Sequence, residues 1–290
     1  MEDSMIAFQT EDGREPMPVL GQAKAEGRTF PYLYYPILEN TGIVKHCFTT
    51  RMGGVSQGYL ESLNLSFARG DDEEAVKENF RRVSLALGTE YDKFVFTDQT
   101  HTANVKRVGK EDAGKGLTGK RDYFNIDGLI TDEPGLILSA FYADCVPLYF
   151  VDPRHRAIGL SHSGWRGTAG RIGRETMLAM KREFQTEPED VLCAIGPSIC
   201  QSCYEISQDV AAEFQREFSY YEDKILQDKG NGKYQLDLWR ANEIVLMEAG
   251  VKQEHLAVTN LCTCCNPKLL FSHRASHGKR GNLGAFLCLN

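Results

Sequence analysis

The sequence predicts an α+β fold with mixed sheets in one domain. Two observations carry this. Short apolar runs bounded by turn residues recur along the whole chain, and helical segments stand among them without strict strand–helix alternation. The 290 residues, 42% hydrophobic and 25% charged, are also ordinary for a soluble globular protein and suffice for a sizeable core.

Thr29 to Tyr35 and Val44 to Thr50 read as strands, followed by a Gly-rich turn at Met52-Gly53-Gly54. Asp71 to Leu87 reads as a helix, with acidic residues early and Val76, Phe80, Val83 and Leu87 at helical spacing. Phe94 to Thr97 is a short strand and Ala103 to Val108 its expected return. Asp127-Gly128 is a turn into a strand that runs to Thr131. Leu136 to Phe141 and Val146 to Val151 read as buried strand, turn, buried strand, and Ala157 to Ser161 as the next strand.

Gly167 to Phe184 is expected as one helix, with Ile172, Met177, Leu178 and Met180 among its apolar positions. Asp190 to Ile195 is a strand. Ser207 to Phe218 and Leu238 to Ala249 are helices, the second stopped by Gly250, which tolerates the left-handed conformation a helix end requires. Strands near Leu256 to Asn260 and Ala285 to Leu289 finish the chain.

Several function classes are excluded. The net charge is −7 and no Lys/Arg run tracks a phosphate backbone, so no nucleic acid is expected as partner. Lys115 to Arg121 is short and reads as a solvated loop. The first residues are acidic and polar where a signal peptide is basic and then apolar. The longest apolar stretch, Gly135 to Val151, is interrupted by Asp144 and Pro147, so no membrane span is expected and a cytoplasmic location is. The nine cysteines are an odd number and are read as reduced thiols.

Three residues stand out chemically: His101 in Asp98-Gln99-Thr100-His101, Cys145 in Asp144-Cys145-Val146-Pro147, and His162 in Ser161-His162-Ser163-Gly164. Each lies at or near the end of an apolar run. If they converge, two imidazoles and a thiolate make a three-ligand site with its fourth position open, the pattern of a catalytic zinc. Taken singly, each is equally what a packed core histidine or cysteine looks like. Cys200/Cys203 and Cys262/Cys265 have CxxC spacing with Cys264 inside the second pair, which fits either a structural zinc or neighbouring packed thiols.

Together with Thr50-Arg51-Met52-Gly53-Gly54-Val55-Ser56, Leu63-Asn64-Leu65, Asp127-Gly128-Leu129, His162-Ser163-Gly164-Trp165-Arg166-Gly167, Gly196-Pro197-Ser198-Ile199, Cys203-Tyr204-Glu205 and Asp237-Leu238, these motifs resemble the laccase-domain family. That family is also called multicopper polyphenol oxidase and purine nucleoside phosphorylase. The resemblance runs from about residue 45 to the C-terminus. It implies one domain over 1–290, a four-layer α/β/β/α sandwich, with residues 1–28 an N-terminal extension forming an edge strand or left flexible. It implies zinc on His101, Cys145 and His162, with copper possible at the same site. The implied activities are phosphorolysis of adenosine, inosine, guanosine and methylthioadenosine, and deamination of adenosine. The partners are then purine nucleosides and phosphate. The chain departs from the family at Ser272-His273-Arg274-Ala275-Ser276, where many members carry a second arginine in place of Ala275. Arg280 is the alternative cation.

Phosphorolysis needs a guanidinium for the phosphate dianion. Arg51, before Gly53-Gly54, and Arg166 are the candidates, each with a surface ion pair as its alternative. Asn64 is a substrate hydrogen-bonder or a turn-former. Asp127 is the candidate for proton handling, or an Asx-turn residue. Two other readings stay open. One is a copper-dependent polyphenol oxidase, although seven histidines without a His-x-His pair do not build a four-copper relay. The other is a cysteine hydrolase with Cys145 activated by His162. A zinc-stabilised interaction module is the non-enzymatic alternative.

Overall fold

The computed structural model describes residues 7–25 and 28–290. Residues 1–6, 26 and 27 of the expected N-terminal extension lie outside these. The first strands are β1 (Val19–Ala25), β2 (Arg28–Tyr34), β3 (Val44–Thr49), β4 (Phe94–Phe96) and β5 (Val105–Arg107). Next come β6 (Gly128–Thr131), β7 (Ile137–Tyr142), β8 (Val146–Asp152), β9 (Ala157–Ser163) and β10 (Leu192–Ile195). The last are β11 (Glu205–Ser207), β12 (Leu226–Gly230), β13 (Lys233–Leu236), β14 (Leu256–Val258) and β15 (Leu283–Leu289). The helices are α1 (Pro36–Glu39), α2 (Glu73–Leu87), α3 (Trp165–Ala169), α4 (Ile172–Phe184), α5 (Gln208–Glu217), α6 (Glu222–Ile225) and α7 (Leu238–Glu248).

Two six-stranded sheets face each other. Their orders are β1-β2-β3-β15-β7-β4 and β14-β10-β8-β9-β6-β5. Both are mixed: β4 runs parallel to β7, and β10–β14 and β5–β6 are parallel, among otherwise antiparallel pairs. α2 covers the outer face of the first sheet; α3, α4 and α7 cover that of the second, and α5 packs on β11 and β13. The architecture is α+β, an α/β/β/α sandwich, and β1 is an edge strand of the first sheet.

Period-two alternation builds the layers. On β15, Leu283, Ala285, Leu287 and Leu289 point between the sheets, while Phe286 and Cys288 point toward α2. On β8, Tyr149 and Val151 face the first sheet and Val146, Leu148 and Phe150 face the helices. α2 starts where the Asp72 side chain accepts the Glu74 N–H and stops at Gly88, whose φ is 59°. It buries Val76, Phe80, Val83 and Leu87, each contributing on the order of 1.5–3 kcal/mol of transfer free energy. Three buried tyrosines span the sheets. Tyr142 donates to Ser161 O (3.0 Å), Tyr149 to Cys47 O (3.1 Å) and Tyr35 to Ile195 O (2.6 Å).

The structure corrects three expectations. Ala103 to Val108 is not the return of Phe94 to Thr97, because β4 lies in the first sheet and β5 in the second. The helix expected over Gly167 to Phe184 is two, broken where Arg171 takes a φ of 57°. Strands β11, β12 and β13, unforeseen because they are short and charged, form a small third sheet. Among the described residues no helix is long and apolar enough to cross a membrane.

Candidate metal centre and active site

The chain crosses from the first sheet to the second twice near one point. Between β4 and β5 it passes His101, and between β7 and β8 it passes Cys145. Both crossings use left-handed backbone, with φ of 66° at His101 and 90° at Asp144. His162 comes from β9 of the second sheet, opposite Pro147 of β8. The ligand atoms of His101, Cys145 and His162 all lie within 4.8 Å of one another. Cys145 Sγ stands 3.9 Å from His101 Nε2. His162 is buried, Cys145 partly exposed and His101 exposed, so the group opens to solvent on the His101 side.

Asp127 holds this arrangement together. Its carboxylate accepts the backbone N–H groups of Thr100 (3.1 Å), His101 (3.2 Å) and Thr102 (2.8 Å), and the Thr102 hydroxyl (2.9 Å). It also lies 2.8 Å from His162 Nδ1. A carboxylate on Nδ1 fixes the tautomer with its proton there, leaving Nε2 as the free donor atom. Burial works against the Asp127 anion, but the His162 imidazole and the backbone donors prevail and lower its pKa. The residue stays ionised and fully buried, and it acts on the cavity through His162 and the His101 segment.

The trio is electrostatically coupled. Burial opposes a thiolate at Cys145, yet the two imidazoles outweigh it and bring the thiol down to about 6. Burial opposes the imidazolium of His162, yet Cys145 and Asp127 raise it to about 9. Two imidazole nitrogens and one thiolate suit an ion of the zinc or copper type. The cradle is tight: a Cβ on Gly164 would come 2.7 Å from His101 Cδ2 and 3.1 Å from Cys145 Sγ. Glycine is therefore the residue this approach permits.

A cavity of about 280 Å³ adjoins the trio. Arg69, Arg121, Arg280, Asp98, Gln99, Phe141 and Asn282 are among the other residues of its wall. Arg121 is neutralised by Asp98 at 2.7 Å. Among the described residues neither Arg69 nor Arg280 is paired with a carboxylate. Burial and the nearby Arg69 charge depress Arg280 to about 10, and its Nε is buried without a hydrogen-bond partner. Two like charges on one cavity wall favour a negatively charged group there.

The structure places Arg51, Asn64 and Arg166 outside this wall. Arg51 lies over the Phe271 ring at 4.5 Å and donates to Glu61 O (2.7 Å) and Pro267 O (2.8 Å). The Gly54 N–H beside it is taken by Ser62 Oγ. Asn64 is fully buried, accepting from Ser66 and Asn282 N–H and donating to Ser66 O and Asp71. Arg166 is exposed and stacks on Trp165 at 4.2 Å. Asp144 braces its own turn, accepting from Thr263 Oγ1 (2.6 Å) and Arg274 N–H (2.7 Å). Arg69 was not visible as a site residue in the sequence, since Arg69-Gly70-Asp71 looks like any polar loop.

The family described as multi-copper polyphenol oxidoreductase laccase matches residues 45–290. A purine nucleoside phosphorylase, YlmD, of Bacillus subtilis is 36% identical over 244 residues, covering 83% of this chain and 86% of its own. A purine nucleoside phosphorylase of Deinococcus radiodurans is 37% identical over 246 residues, covering 85% and 89%. The crystal structure of YlmD from Geobacillus stearothermophilus superposes with a TM-score of 0.81 at 34% identity, over 92% of this chain and 98% of that one. The YfiH protein of Bacillus licheniformis gives 0.85 at 34% identity, over 89% and 96%. The match takes in the whole second sheet, the first sheet from β3 onward and all three residues of the His/Cys/His group, and on that extent the chain belongs to the multi-copper polyphenol oxidoreductase laccase family.

Proposed function

We propose that this chain is a zinc-dependent purine nucleoside phosphorylase. The observation that supports it most is the cavity lined by His101, Cys145 and His162 together with Arg69 and Arg280, whose guanidiniums meet no carboxylate among the described residues. The names of the relatives point the same way. His101 Nε2, Cys145 Sγ and His162 Nε2 would hold the ion. Zinc bound there would supply Lewis-acid chemistry. Arg69 and Arg280 bind the phosphate dianion and orient one of its oxygens toward C1′ of the nucleoside. The C1′–N9 bond breaks as the C1′–O bond to phosphate forms, and the proton that the hydrogen phosphate gives up ends on the leaving purine. The charge that develops at C1′ is met by the bound phosphate, so catalysis is mainly positioning and electrostatics. The partly exposed Phe141 ring offers an apolar face to the base. Asp127 keeps its proton-free form and acts by orienting His162 and the 100–102 loop.

The substrates in this reading are adenosine, inosine, guanosine and methylthioadenosine. Adenosine deamination, water replacing the C6 amino group with loss of ammonia, uses the same cavity. A second reading rests on one observation: the low Cys145 thiol beside a cationic His162 also describes a nucleophilic cysteine. Chromatography of adenosine incubated with zinc-loaded protein separates the outcomes. Phosphate-dependent adenine supports phosphorolysis, and phosphate-independent inosine supports deamination. Oxidation of a phenol by copper-loaded protein, with neither purine product, overturns the proposal in favour of the oxidase. Rapid Cys145 alkylation by iodoacetamide that zinc does not slow favours the hydrolase.

A further inference from the structure

A second cysteine cluster lies away from the cavity. The sulfurs of Cys200, Cys203, Cys262 and Cys265 all lie within 4.8 Å of one another. They come from two CxxC segments, one following β10 and one following β14, brought side by side by the Ser198–Cys262 bridge. Cys203 and Cys265 sulfurs are 3.5 Å apart. In a tetrahedral zinc tetrathiolate with Zn–S near 2.3 Å, neighbouring sulfurs are separated by about 3.8 Å. The observed spread fits one ion at the centre; a multi-iron cluster needs its thiolates further apart.

The backbone adds an independent sign. Cys262 Sγ accepts two amide hydrogens, from Cys200 (3.3 Å) and from Cys265 three residues on (3.4 Å). Amide donors turned onto a sulfur stabilise it as an anion, the form in which it binds metal. Four thiolates this close repel strongly unless a cation sits among them.

We infer that Cys200, Cys203, Cys262 and Cys265 bind a second zinc ion, a closed four-sulfur site with no position for substrate. Its role is to fasten two loops that brace the first centre. Ile199 N–H donates to Asp144 O (3.0 Å), Thr263 Oγ1 to the Asp144 carboxylate (2.6 Å), and Arg274 Nη1 to Cys203 O (3.1 Å). Asp144 in turn holds the left-handed turn that presents Cys145. Metal binding here releases the thiol protons to solvent and leaves the cysteines reduced.

The test uses the full chain purified without added metal. In Cys145→Ala, which removes a ligand of the first centre, elemental analysis should find one zinc per chain. Zinc-edge X-ray absorption should give four sulfur neighbours at about 2.3 Å. A Cys200→Ser/Cys203→Ser double variant should lose that equivalent and melt at a lower temperature. A Cys145→Ala chain without zinc, or with iron in its place, overturns the proposal. So does nitrogen in the ligand shell, or a disulfide in the mass of the unreduced protein. If the double variant does not fold, the absorption spectrum of Cys145→Ala alone still decides.

Discussion

The Asp127 carboxylate lies 2.8 Å from His162 Nδ1 while gathering the amides of Thr100, His101 and Thr102. One buried anion therefore sets the tautomer of one imidazole and the position of the other. Asp127→Asn keeps the volume but removes the charge. The expected result is a zinc affinity about 10–100-fold weaker, as for other carboxylates behind a metal-bound histidine. Competition against a chromogenic chelator measures it, and an unchanged affinity would remove Asp127 from this role.

Arg280 and Arg51 should separate cleanly in kinetics. Arg280→Ala takes away a guanidinium that faces the cavity, and the apparent KM for phosphate should rise at least about tenfold, the loss of one charge-assisted hydrogen bond. Arg51→Lys should leave that KM unchanged, because the Arg51 guanidinium is spent on Glu61 O and Pro267 O. Its cost should appear in stability, at about 1 kcal/mol by urea titration. A phosphate KM that moves only in the Arg51 variant reverses the assignment.

Gly164→Ala probes the cradle. The added methyl would overlap His101 Cδ2 at 2.7 Å and press on Cys145 Sγ at 3.1 Å. The variant should fold with unaltered far-ultraviolet dichroism yet lose most of the metal at the His/Cys/His group. Full metal occupancy would show that the two ligand segments yield more easily than their packing implies.

His46 makes the fold acid-sensitive. Its Nε2 accepts the Tyr35 N–H at 2.8 Å, so the neutral ring carries its proton on Nδ1, which stands 3.6 Å from the Glu39 carboxylate. A second proton would have to displace the Tyr35 donor inside the core. Burial accordingly depresses the pKa to about 4. With the unfolded value near 6.5, this stability is fully present above about pH 6.5 and is lost as the pH falls toward 4, by about 2 kcal/mol at pH 5. His46→Gln should flatten that part of the stability profile measured by urea unfolding between pH 7.5 and 5. A variant as acid-sensitive as the parent assigns the slope elsewhere.

The fold class and most long elements were legible because period-two and helical patterns are local. Val146 to Val151 and Asp71 to Leu87 lie within two residues of the observed β8 and α2 at either end. Residue types at strand ends singled out His101, Cys145 and His162, but only the family resemblance joined them into one metal group. The two arginines that face the cavity were not legible. Arg69 and Arg280 sit on loops more than two hundred positions apart, and only the fold brings them to one cavity wall. Arg51 looked better in sequence, beside two glycines. Its fate depended on carbonyls of Glu61 and Pro267 that no local pattern announces. The split of Phe94 to Thr97 from Ala103 to Val108 was hidden for a related reason: a short link between two strands reads as a hairpin whether it turns back or crosses over.

The two crossings between sheets have a mechanical consequence. His101 and Cys145 ride on segments that leave one sheet for the other, whereas His162 belongs wholly to the second. An ion shared by the three is a rivet through two plates. Sliding one plate over the other must open the ligand triangle, and an occupied triangle must resist the slide. Truncations deep in the interlayer, such as Leu160→Ala or Leu287→Ala, should therefore loosen metal binding from a distance, and metal should make the two plates unfold as one.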